Sequence, residues 1–171
     1  MLLLVCSLVL AAGSGCGRNK FEQEIDNEKL AVNLVRETRQ GEYDVITAEE
    51  LKKLLDARAD LVLIDAMPSE EYRGAHIPGA KQFLFPKEAD KMEDWDAKET
   101  GGKTADDYAE LLGPQKDRLI VVYCGFVQCA RSHHGARWAR RLGYTNVKRF
   151  PGGIYAWKGA AYSTSTGEDG G

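Results

Sequence analysis

The sequence has no surplus of positive charge, few cysteines, no internal repeat and no apolar run of membrane-spanning length. Lys and Arg total 23 against 26 Asp and Glu, a formal net charge of −3. Nucleic-acid binding rests largely on phosphate neutralisation, so a mildly acidic chain without a basic block is a poor candidate for it. Four cysteines in 171 residues are too few for a disulfide scaffold, which leaves each to be read individually. The one extended apolar stretch, residues 2–12, is eleven residues long. At about 1.5 Å per residue it cannot cross a hydrocarbon core of about 30 Å. What is present is the balance of a folded domain, 43% hydrophobic and 29% charged, at a length expected for about one such unit.

Residues 2–12 have the length of a signal-peptide core and are followed by small residues and a cysteine. Ala12, Gly13, Ser14, Gly15 and Cys16 together resemble the lipobox of bacterial lipoproteins, although no Lys or Arg precedes the run and Gly13 stands where Leu is usual. The resemblance implies residues 1–15 as a signal peptide and Cys16 as the lipid attachment residue. It also implies a bacterial cell-envelope location, with membrane contact through that lipid only. An ordinary secretory peptide and a buried N-terminal segment are the other readings. At the far end, residues 163–171 hold Ser, Thr, Gly and acid without one large apolar residue, the composition of a disordered tail.

Between these ends, strands and helices alternate. Residues 21–39 carry an irregular helical stripe, Ile25, Leu30, Leu34 and Val35, so residues 16–44 are expected to form a packing helix or spacer. Thr47 and Glu50 form a capping box that opens a helix over 48–57. Two continuous apolar runs, 61–64 and 119–123, have strand length and suit parallel strands buried on both faces. A helix is expected over 132–142, stopped by Gly143, then a short strand over 147–150 and a helix over 154–158. The charge-rich stretch 87–102 reads as a surface excursion over the sheet, or alternatively a lid, and 104–112 as a helix with Tyr108, Leu111 and Leu112 on one face. This order predicts an α/β domain with a mainly parallel sheet.

In such sheets the ligand site lies outside the carboxyl ends of the strands. Cys124 directly follows the run 119–123, and a helix begins shortly after. A thiol between a strand end and a helix N-terminus faces unpaired N–H groups, which favour thiolate, and Arg131 would add positive charge. The alternative is a small buried hydrophobe ending a strand, and position alone leaves the two open.

The surrounding residues carry a resemblance. Asp65, followed by Glu71, Tyr72, Gly74, Ala75, His76, Ile77, Pro78, Gly79 and Ala80, resembles the first signature of the rhodanese family, and Gly152, Gly153, Ile154 and Trp157 resemble the second. Cys124 lies between them at the family's catalytic position. The resemblance implies a three-layer domain over 45–162, a five-stranded, mainly parallel sheet with helices on both faces. It implies an active loop of Gly125, Phe126, Val127, Gln128, Ala130, Arg131 and Ser132 whose N–H groups hold an anion. Asp65 and His76 would be supporting residues that fix nearby loops, Pro78-Gly79 a turn, and Trp157 a core residue.

Departures from the family pattern concern the site. Met67 stands where Arg is common, and the loop closes either at Cys129 or at Arg131. Six residues between Cys124 and Arg131 miss the five of the related phosphatases. Cys124, Cys129 and Ser132 are similar to a subgroup with a second loop cysteine. By analogy, the Cys124 thiolate takes sulfane sulfur from a small sulfur-containing anion such as thiosulfate or polysulfide and passes it to a thiol or a cyanide-like acceptor. Cys129 would serve as a resolving thiol. No cofactor is implied, and no metal: adjacent His133 and His134 point about 100° apart on a helix and are expected on its surface. The alternative function is a non-catalytic rhodanese-like module that binds a partner or senses redox state.

Overall fold

The computed structural model describes residues 19–167; the signal-peptide and lipid-attachment expectations, with Cys6 and Cys16, lie outside them. Asn19 caps the first helix, its side chain accepting from the N–H groups of Phe21 and Glu22, and α1 runs from Lys20 to Gly41. The chain continues through β1 (Asp44–Val45), α2 (Ala48–Asp56), β2 (Leu61–Asp65), α3 (Ser69–Gly74), β3 (Lys81–Gln82), α4 (Ala105–Leu112), β4 (Leu119–Tyr123), α5 (Arg131–Arg141), β5 (Val147–Phe150) and α6 (Gly153–Gly159). The Thr47–Glu50 capping box forms, and Thr104 with Asp107 forms a second one at α4.

The five strands pair in parallel throughout, in the order β1-β5-β4-β2-β3. The two apolar runs are the neighbours at the centre, Leu61 beside Leu119 through Asp65 beside Tyr123. Ile64, Ile120, Val121, Val122 and Tyr123 are fully buried, as two-sided covering by helices requires. Helix α5 lies on β4 and β5 and carries α1 on its outer side, while α2 packs against α6.

Topology then places the site. From β2 the chain moves to one side of the sheet, to β3, and from β4 to the other, to β5. The carboxyl ends of β2 and β4 therefore flank the point where the winding reverses, where a crevice opens. Met67 lies beyond one end, and Cys124 and Gly125 beyond the other; a Cβ built on Gly125 would meet Met67 Sδ at 3.7 Å.

Three expectations differ from the structure. Only Leu30 and Leu34 of the α1 stripe are half-buried; Ile25 and Val35 are 53% and 48% exposed, because α1 meets the domain through its C-terminal half, where Glu37 reaches Arg149 of β5 and Gly41 lies against Arg137 of α5. Residues 163–167 do not dangle. Ser165 bridges His76 through mutual backbone hydrogen bonds, Ser163 O accepts from Trp157 Nε1, and Gly167 N–H donates to Arg73 O. His133 and His134 are buried rather than on the helix surface. The segment after β3 folds over them: Glu88 O accepts from His134 Nε2, Met92 O accepts from the Trp138 indole, and Trp95 packs against Phe83, Phe85, Tyr108 and Trp138.

Candidate active site

The loop from Cys124 to the start of α5 holds both thiols of the described residues. Helix α5 begins at Arg131 with Ala130 as its cap, so the loop spans 124–130, with Cys129 inside it and Arg131 on the helix. The second signature, opening with Gly152 and Gly153, pins the loop's first two residues. Ile154 N–H donates to Cys124 O at 2.9 Å and Tyr155 N–H to Gly125 O at 3.0 Å. Gly153 makes that approach with φ 56°; a Cβ there would lie 2.1 Å from Cys124 O.

Cys124 is fully buried. Its Sγ lies 3.1 Å from Ser132 Oγ and 3.3 Å from Cys129 O. Burial pushes the Cys124 thiol well up, and the neighbouring Cys129 adds to this, while the hydroxyl and N–H of Ser132 pull the other way. The thiol held down is Cys129, to about 6, by the Cys124 thiol beside it, the N–H groups of Arg131 and Gly125, and the Arg131 charge. The donors expected to favour thiolate at Cys124 are shared between the two sulfurs, the N–H and hydroxyl of Ser132 acting on Cys124 and the N–H groups of Gly125 and Arg131 on Cys129. Anion-favouring N–H groups are present, but two of them face the Cys129 sulfur.

Cys129 also opens onto solvent, lining a crevice of about 460 Å³ with Met67, Glu71, Lys87, Glu88, Gln128 and Arg131. Phe126 and Tyr155 stand at its wall with ring centroids 5.4 Å apart. Clefts of about 480 and 520 Å³ elsewhere contain neither thiol nor histidine. Arg131 Nη1 donates to Phe85 O, which holds the guanidinium beside the crevice. The remaining loop residues divide: Phe126 and Gln128 are exposed, Ala130 is buried, and the Val127 carbonyl is engaged by Arg149.

Arg149 of β5, with Glu37 and Tyr43, is the part of the site that sequence reading missed. The only signal was a second charged residue inside a four-residue strand. Fully buried, its guanidinium reaches Ser132 Oγ, the carbonyls of Val127 and Cys129, Tyr43 OH and the Glu37 carboxylate.

The two supporting residues are scaffold. Asp65 Oδ1 accepts from Met67 N–H at 2.9 Å. His76 is stacked on Tyr72, its Nδ1–H donating to Tyr72 O. The next residue, Ile77, donates its N–H to Tyr123 OH, tying the first signature to the strand that ends at Cys124; Gly79 takes φ 80° in the turn.

Asp65 Oδ2 is buried without a hydrogen-bond partner, and burial raises the carboxyl from 3.8 to about 6. A raised folded-state pKa means that this group's contribution to stability is full below about pH 4 and lost as pH rises through about 6. The span of about two pH units corresponds to on the order of 3 kcal/mol. Asp65→Asn keeps an oxygen for Met67 N–H and is expected to abolish that part of the slope in urea unfolding between pH 4 and 7; an unchanged slope would contradict it.

No group of three or more His, Cys, Asp or Glu that could hold a metal ion occurs among the described residues, and no helix among them is long and apolar enough to cross a membrane.

Comparison with known proteins agrees with this architecture. The chain is 33% identical over 124 residues to the HTH-type transcriptional regulator Rv0324 of Mycobacterium tuberculosis, a match covering 72% of this chain and 46% of the regulator. Among solved structures, it is similar to thiosulfate sulfurtransferase from Pseudomonas aeruginosa, with TM-score 0.58 and 25% identity, over 77% of this chain and 22% of the other. It also matches the BH2092 protein of Bacillus halodurans, with TM-score 0.56 and 18% identity, over 80% and 86% of the two chains. The chain thus spans less than half of the regulator and of the sulfurtransferase it matches. The family model for the rhodanese-like domain matches residues 47–160, and with two signatures and a cysteine loop at the end of β4, the chain belongs to the rhodanese-like family.

Proposed function

We propose that the protein is a sulfurtransferase that carries sulfane sulfur as a persulfide on Cys124. The observation that carries this reading is the pair of adjacent thiols in one loop at the winding reversal, one buried against the N–H and hydroxyl of Ser132 and one open to a crevice whose charged walls are Lys87, Arg131, Glu71 and Glu88. Two close thiols titrate as a unit, and the first ionisation of this pair leaves one proton and one negative charge shared between them. Proton transfer from Cys124 to Cys129 places the thiolate on Cys124, and rotation of Cys129 outward opens the loop to the donor. The Cys124 thiolate attacks the outer sulfur of thiosulfate; the new S–S bond forms as sulfite leaves. A nucleophilic acceptor, cyanide or a thiol, then takes the outer sulfur and returns Cys124 as thiolate. Alternatively, Cys129 attacks the Cys124 sulfur, expelling hydrosulfide and leaving a Cys124–Cys129 disulfide that two equivalents of an external thiol reduce. The apolar leader and Cys16 support the further reading that this occurs at the cell envelope.

Similarity to the transcriptional regulator favours a second reading, a module whose thiol pair senses sulfur or redox state without turning over. Turnover separates the two. The reduced protein, given thiosulfate or polysulfide with cyanide, is expected to form thiocyanate catalytically. A single stoichiometric adduct without turnover would favour the sensing module, and no reaction with either donor would contradict both sulfur transfer and sulfur sensing.

A further inference from the structure

We infer that Arg149, anchored by Glu37 of the N-terminal helix, is the positioning residue of the active loop and acts on Cys124 through Ser132. A guanidinium has five N–H donors in a fixed plane, and here each has an acceptor. Nε–H donates to Ser132 Oγ at 2.8 Å. Nη2 donates to Cys129 O at 3.1 Å and to Val127 O at 3.2 Å. Nη1 donates to the Glu37 carboxylate and, at 3.4 Å, to Tyr43 OH. Tyr43 in turn donates its hydroxyl hydrogen to His133 Nδ1 at 2.8 Å, which burial keeps neutral.

Two consequences follow from the direction of these bonds. Holding the carbonyls of Val127 and Cys129 on the Arg149 side orients the peptide units of the loop, so that N–H groups face its interior. The resting Cys124 thiol directs its hydrogen at Ser132 Oγ, 3.1 Å away, or Cys129 O; once the thiol is ionised, the Ser132 hydroxyl, its oxygen accepting from Arg149 Nε–H, turns its own hydrogen to the sulfur and stabilises a thiolate or a persulfide. Glu37 supplies the compensating charge that a fully buried guanidinium requires; its own side chain is 13% exposed. Glu37 lies outside the matched span of 47–160, so α1 is part of the working site in this chain.

The inference rests on the Cys124 assignment of the proposed function, and its test does not need sulfur transfer. In the full chain carrying Cys129→Ser, the iodoacetamide reactivity of Cys124 is followed against pH. Adding Ser132→Ala is expected to slow alkylation about tenfold at a fixed pH, the effect of one lost charge-assisted hydrogen bond, and to move the profile to higher pH. Arg149→Lys and Glu37→Gln are expected to move it in the same direction, and Arg149→Lys combined with Ser132→Ala to fall short of the product of the two separate effects. A folded Arg149→Lys protein with an unshifted profile, or effects of Arg149→Lys and Ser132→Ala that multiply, would overturn the assignment. If Arg149→Lys does not fold, Glu37→Gln decides it: an unshifted profile at a lowered melting temperature would leave Arg149 only a structural role. Normal alkylation profiles with no sulfur transfer by the parent protein would instead sink the proposed function and leave this inference standing.

Discussion

Cys124→Ser is expected to reduce thiocyanate formation to the uncatalysed background, whereas Cys129→Ser retains persulfide formation and loses the release of sulfide. The asymmetry follows from where the sulfurs sit. Cys124 is at the floor of the loop, next to Ser132, and a serine hydroxyl there can neither expel sulfite nor carry sulfur. Cys129 is the partly exposed member of the pair, held down to about 6. Iodoacetamide labelling of the wild type is therefore expected to mark Cys129 first, rising with a midpoint near pH 6. In Cys129→Ser that step disappears, and the remaining reactivity of buried Cys124 rises only at higher pH. Removing Cys129 also removes the internal base, so persulfide forms more slowly at neutral pH but accumulates. Peptide mapping of the labelled protein checks the order; first labelling at Cys124 would contradict the assignment of the resting charge to Cys129.

Gly153→Ala is expected to be the most damaging single methyl addition near the site. The new carbon would lie 2.1 Å from Cys124 O and 2.7 Å from Gly125 O. Both are backbone atoms fixed by the N–H groups of Ile154 and Tyr155, so neither side yields by a rotamer change. The residue also holds φ 56°, which disfavours a side chain. Overpacking and backbone strain together are expected to cost about 3 kcal/mol or more, a fall of about 10 °C in melting temperature at this chain length. Gly159→Ala is the control. A Cβ there meets nothing within 4 Å, and the change is expected to be neutral or slightly stabilising. Equal melting temperatures for the two variants would show that the Gly-Gly clamp does not hold the loop.

The central strands were legible because 61–64 and 119–123 are apolar on both faces, the pattern of a parallel strand covered by helices. The helix start at Thr47 was legible because a capping box is local, whereas 104–112 was read from its apolar face and its Thr104–Asp107 box emerged only in the structure. Strands β1 and β3 were not: each is two residues long, Asp44–Val45 and Lys81–Gln82, too short for any periodicity and held only by pairing to a neighbour. The location of Cys124 was legible from the strand that ends before it, but the ionisation of the pair was not. It depends on which sulfur the N–H groups of Gly125 and Arg131 face, a property of the folded loop. Arg149 was hidden for a stronger reason: its partner Glu37 is 112 residues away in the chain. His133 and His134 read as surface residues because the cover over them, from Glu88 to Trp95, comes from the charge-rich stretch with the weakest pattern in the sequence.

Intact-mass measurement after reaction with thiosulfate tests sulfur carriage by Cys124 most directly. The reduced wild type and Cys129→Ser are expected to gain one sulfur atom, removable by cyanide and mapped to Cys124, and Cys124→Ser to gain none. An adduct that persists in Cys124→Ser, or its absence from the reduced wild type with both thiosulfate and polysulfide, would contradict it.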